Sequence, residues 1–206
     1  TSLENEPLAH VFISVTKKKG NPSKLFKVIE SGNELASAAA YEALAKLDKI
    51  KPEQILNSVP DKTSEILLLS CARAIKAHLN ESKAKTLAEK LKKLEGSKHL
   101  AVLGALALYG YKDAQNNIIN MLPDKYALYI VVNIKPVSEE LVQDLLSRRA
   151  RTNDENIYNL LTEALVAMGE LDQFSFIEEL KSQRDLERKV AAESLLKFKF
   201  HKSATF

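Results

Sequence analysis

The sequence predicts an all-α fold, a right-handed α-solenoid of antiparallel helical hairpins with a period near 31 residues. Three observations lead there. Ile55, Asn57, Pro60, Asp61 and Lys62 reappear as Ile118, Asn120, Pro123, Asp124 and Lys125, each 63 positions on. About half that offset recurs among small apolar residues: Ala43-Leu44, Ala74-Ile75 and Ala105-Leu106 stand 31 apart, as do Ala40, Cys71 and Val102. Around these residues the apolar positions return at helical spacing, which gives each segment one buried face. A fixed internal period of this length marks stacked helical units, each too small to bury its own apolar face alone.

Residues 1–31 are expected to form an irregular N-terminal cap. Leu8 to Val15 reads as a strand or a degenerate helix, Lys17 to Pro22 as a turn, and Ser23 to Glu30 as a short helix. The repeat domain is expected to span 32–200. Its first helix carries Leu35, Ala39, Ala43, Leu44 and Leu47 on one face, after Gly32-Asn33. Pro52 then fits the first turn of a short second helix, Glu53 to Val59, where its missing N–H needs no partner.

The second unit runs from Thr63 or Ser64 to Leu79. It is nearly continuous apolar from Ile66 to Leu69 and then through Cys71, Ala72, Ala74 and Ile75, the wide face of a helix with neighbours on both sides. Its partner helix, Ser82 to Leu94, has a narrower stripe of Leu87, Ala88, Leu91 and Leu94, with Lys85, Lys90, Lys92 and Lys93 on the wet side. Gly96 is expected to supply a left-handed stop and Ser97 the next cap.

Lys98 to Tyr109 and Asp113 to Leu122 form the third unit. Tyr126 to Ile134 has the β-branched and aromatic content of a strand. Pro123-Asp124 at the repeat position, and the helix start at Ser138 with Glu140-Leu141, assign it to a helix instead. The fifth unit is Glu155 to Met168, a turn at Gly169, and Asp172 to Lys181. A last helix runs from Asp185 to about Phe198. Leu196, Phe198 and Phe200 then alternate with Lys197, Lys199 and His201, so Phe198 and Phe200 are expected to cap the last hairpin, before a tail at 201–206.

The period, the alanine-rich first helices and the Pro-Asp boundary resemble the HEAT/armadillo-like helical repeat superfamily, in its short, degenerate HEAT-like form. The resemblance covers roughly residues 32–200. The Trp-Leu-Gly-Tyr framework of tetratricopeptide repeats and the Thr-Pro-Leu-His of ankyrin repeats are both missing. In that superfamily the second helices usually line a concave face that binds protein. The resemblance therefore implies a protein-binding surface drawing on Lys85, Lys92, Asn116, Asn117, Asn120, Gln143, Arg148 and Lys181. Some HEAT-like proteins are DNA glycosylases, a resemblance that implies groove aromatics and a catalytic aspartate. This sequence has no Trp, and no Asp stands out.

Composition and chemistry favour a binding role. With 206 residues, 45% hydrophobic and 28% charged, the chain has globular composition. Thirty Lys+Arg against 27 Asp+Glu leave a formal +3, too little to announce a nucleic-acid or membrane partner. A single cysteine excludes an internal disulfide and a CxxC site. Nothing approaches 18 consecutive apolar residues, and the N-terminus lacks the profile of a secretory signal, so a cytoplasmic or other reducing intracellular location is expected.

His10, His78, His99 and His201 include no pair at i, i+4 and no HExxH. His78 and His99, on neighbouring first helices, could still lie close together. Cys71 takes the place of Ala40 and Val102, a small buried hydrophobe. The paired acids Glu139-Glu140, Asp154-Glu155 and Glu178-Glu179 fall at helix starts or on polar faces. No glycine-rich loop offers a phosphate cradle. The expectation is a non-enzymatic protein-binding or scaffolding module with no cofactor, metal or membrane, whose partner is another protein or a larger complex. The alternative is a nucleic-acid-binding repeat that grips phosphates through Lys17, Lys18, Lys19, Arg148, Arg149 and Arg151.

Overall fold

Short polar side chains close the first turn of most helices. Asn33 accepts from Ala36 N, Ser64 from Leu67 N, Asn80 from Lys83 N, Ser138 from Leu141 N, and Asp124, Asp154 and Asp172 each accept from two backbone amides. Each such cap contributes about 1 kcal/mol, which fixes where a helix starts. The structure, a computed structural model, describes residues 21–48, 50–135 and 137–203. Among the described residues there are 12 helices and no strand. The expectations for Leu8 to Val15 and for Lys17, Lys18 and Lys19 lie outside the described residues.

The chain divides into two compact units, Thr1–Lys135 and Pro136–Phe206. The first contains α1 (Pro22–Glu30), α2 (Glu34–Leu44), α3 (Pro52–Asn57), α4 (Glu65–Ala77), α5 (Glu81–Leu91), α6 (Gly96–Tyr109), α7 (Lys112–Asn120) and α8 (Lys125–Val131). The first helices α2, α4 and α6 begin 31 residues apart, after caps at Asn33, Ser64 and Glu95. They pack directly on one another, α2 on α4 and α4 on α6. At that contact the equivalent residues Ala40, Cys71 and Val102, and Ala43, Ala74 and Ala105, are all 0% exposed. Small side chains let these axes approach closely. The larger Leu44, Ile75 and Leu106 are buried beside them, each worth about 1.5–3 kcal/mol.

The second helices α3, α5 and α7 pack on first helices and make few or no close approaches to one another. The first-helix layer is therefore tight and the second-helix layer open.

Helix α8 departs from a plain stack, in which a repeat touches only its neighbours. It packs on α4 as well as on α6. Gly104 permits this, because a Cβ there would collide with the Tyr126 hydroxyl. That hydroxyl donates to Leu100 O at 2.7 Å, and Arg73 Nη2 donates to Asn133 Oδ1 at 2.6 Å just past the helix. Covered by α4, α5, α7 and α8, helix α6 is buried continuously from Ala101 to Leu108.

The second unit contains α9 (Glu139–Arg151), α10 (Glu155–Met168), α11 (Gln173–Glu179) and α12 (Asp185–Ser203). Helix α9 packs on α10 and α11 on α12, around Leu141, Leu145, Tyr158, Leu161, Leu165, Phe176, Val190 and Ala191. Gly169, at φ +84°, ends α10 in the left-handed conformation that glycine adopts without steric cost.

Four details differ from the sequence reading. Leu35 is 81% exposed and Ile66 is 55% exposed. Each is the second residue of its helix, and the buried stripe is set one position later, through Ala36, Ala40, Ala43 and Leu44 and through Leu67, Cys71, Ala74 and Ile75. Glu95, not Ser97, is the N-cap of α6; Gly96 has the expected positive φ of +55°, and Ser97 turns inward to donate to Asp61 O at 2.8 Å. The period of two at Leu196 to Phe200 falls within α12, which stays helical through Ser203. His78 and His99 do not form a pair. The first bonds Leu44 O at 2.8 Å, and the second faces the end of α5.

Candidate binding groove

An open second-helix layer leaves a cleft wherever two second helices diverge over a first helix. Such a groove, of about 570 Å³, lies between α5 and α7. Lys85, Ala88, Glu89, Leu91 and Lys92 come from the α5 side, Tyr111, Asp113, Ala114 and Asn117 from the α7 side, and His99 and Leu106 from α6 beneath. The spacing Lys85, Ala88, Glu89, Lys92 is the i, i+3, i+4, i+7 stripe of one helix face. On α7, Asp113 and Asn117 are one turn apart. The walls are polar, and the floor of Ala88, Leu91, Leu106 and Ala114 is apolar.

His99 is held by the end of α5. Its Nδ1 lies 3.3 Å from Leu91 O and 3.2 Å from Leu94 O, two acceptors that require the proton on Nδ1. At the other end Gln115 Nε2 donates to Ala107 O at 3.1 Å and ties α7 to α6. Lys90 is drawn away from the groove by Glu53, at 3.2 Å, and Lys83 by His78 O, at 3.1 Å. Both contacts are exposed and stabilise the fold little. Its own backbone amide, and Lys90 after it, hold the Glu53 carboxyl below the usual range, although burial opposes them.

Three of the expected surface residues, Lys85, Lys92 and Asn117, meet in this groove. Asn116 and Asn120 are exposed on the same helix α7. Gln143, Arg148 and Lys181 belong to the second unit. Gln143 is exposed, Arg148 pairs with Asp144 at 2.8 Å, and Lys181 pairs with Glu178 at 2.9 Å. Tyr111, Asp113 and Glu89 were not singled out from the sequence, and His99 only as a possible neighbour of His78. The signal available was the position of Glu89 on the face of Lys85 and Lys92.

Of the expected phosphate contacts within the described residues, Arg151 is exposed and Arg148 half-buried. Arg149 is only 7% exposed. Its Nη1 and Nη2 each lie 2.7 Å from a Glu179 oxygen, and its Nε donates to Thr162 Oγ1 at 2.7 Å. The guanidinium stacks on Tyr158, 4.2 Å from the ring centroid. This geometry makes Arg149 a structural tie between α9, α10 and α11 and removes it from any exposed basic surface.

Arg184 reinforces the tie. It donates to Ala150 O and Thr152 O, both at 2.7 Å, and so closes the end of α9, and it pairs with Glu187 at 2.7 Å. Burial pushes the Glu187 carboxyl up, but the Ser182 hydroxyl and Arg184 outweigh it and hold the carboxyl below its ordinary value. Burial raises the Tyr158 phenol well above the usual tyrosine range, and its hydroxyl has no hydrogen-bond partner.

Among the described residues no group of three or more His, Cys, Asp or Glu is placed to share a metal ion. Among the same residues no helix is long and apolar enough to cross a membrane. Cys71 is fully buried, and burial pushes its thiol up to about 12 despite the nearby Tyr41 hydroxyl, so it is a poor nucleophile at neutral pH. Comparison with known proteins finds no matching family model, no matching curated protein and no matching solved structure.

Proposed function

We propose that this chain is a non-enzymatic protein-binding or scaffolding module that uses the exposed faces of its second helices. The observation that carries this reading is the α5–α7 groove, where polar walls with Lys85, Lys92 and Asn117 stand over an apolar floor. Such a surface, part polar and part apolar, suits the side chains of a protein segment. The architecture behind it is a right-handed α-solenoid of short HEAT-like hairpins with a period near 31 residues, closed at one end of the first unit by α8. The equal spacing of α2, α4 and α6 supports this. So do ion pairs that join neighbouring hairpins, as in Glu42–Arg73 and Glu155–Lys189.

Nucleic-acid binding remains the second reading, on the strength of the lysines along α5. The burial of Arg149 weighs against it, and so do Glu89 and Asp113 within the groove, which repel phosphates. Affinity capture with the wild type and with Lys85→Glu/Lys92→Glu tests the proposal. The expected result is a protein retained by the wild type and lost by a variant of equal urea midpoint. Equal capture by both overturns the groove as the binding surface. Turnover of a defined substrate overturns the non-enzymatic reading.

A further inference from the structure

We draw no further inference here: the strongest candidate, the exposed apolar patch of Phe174, Ile177 and Leu180 on and just after α11, carries nothing, because its neighbouring charges Glu178 and Lys181 pair with each other and nothing in the structure shows what covers it.

Discussion

Replacing Arg149 with alanine is expected to cost the second unit about 3–5 kcal/mol, the range for breaking a buried ion pair from one side. Three bonds at 2.7 Å are lost, two to Glu179 and one to Thr162, together with the stack on Tyr158. Most of the cost comes from what remains: a Glu179 carboxylate only 19% exposed, with its counterion gone. Partial access of water to Glu179 places the value near the lower end, about 3 kcal/mol. That is a large part of the roughly 5–15 kcal/mol that holds an ordinary domain together. Arg149→Met combined with Glu179→Leu removes both charges and keeps volume, and is expected to recover to within about 1 kcal/mol of the wild type. Urea unfolding followed by circular dichroism and by tyrosine fluorescence measures both, since the chain has no tryptophan. A single-variant cost below about 0.5 kcal/mol, typical of an exposed pair, refutes the structural role given to Arg149. So does a double variant as unstable as the single one.

Other consequences follow from close contacts elsewhere. Gly104→Ala is expected to cost about 1–3 kcal/mol by driving a methyl group into Tyr126, and Tyr126→Phe in the same chain should return part of it in urea unfolding. Leu35→Gln and Ile66→Gln are expected to change stability by no more than about 0.5 kcal/mol, since both side chains are exposed; a larger loss would place them in the core after all. Cys71 should resist a thiol reagent at neutral pH in the native protein and react once urea unfolds it, and fast native labelling would contradict its burial. The depressed Glu187 carboxyl contributes stability that is complete above the ordinary glutamate range and is lost as pH falls through its lower folded value. Between about pH 7 and about pH 3 the wild type should therefore lose more stability than Glu187→Gln, and parallel pH profiles would sink that assignment.

What the sequence made legible was whatever the repeat imposes locally. Ala40, Cys71 and Val102 are interchangeable small residues at one contact, so their spacing alone located α2, α4 and α6. Gly169 and Ser138 announced a stop and a start through backbone chemistry that needs no tertiary context. Leu35 and Ile66 misled because an apolar residue in the first turn carries no mark of which side its neighbours lie on; only the packing of α2 on α4 decides that. Tyr126 was placed in a helix by its repeat position, but its reach across Gly104 to Leu100 is a long-range contact that no period encodes. Arg149 stood in a run of bases and read as surface. Its partner Glu179 lies 30 residues further along, and opposite charges at or next to the repeat offset, as also in Glu42 and Arg73 at 31, were the available sign of a tie between hairpins. The groove was half legible. Lys85, Lys92 and Asn117 follow from helical faces, whereas His99 and Asp113 join them only because α5 and α7 diverge over α6.

The most direct test of the binding role is photo-crosslinking from inside the groove. Asn117→p-benzoylphenylalanine and, as a control on an exposed position outside it, Lys46→p-benzoylphenylalanine would be irradiated in extract and their adducts separated into protein and nucleic acid. A discrete protein adduct from position 117 and none from position 46 is the predicted result. Nucleic-acid adducts from position 117, or the same adducts from both positions, would contradict it.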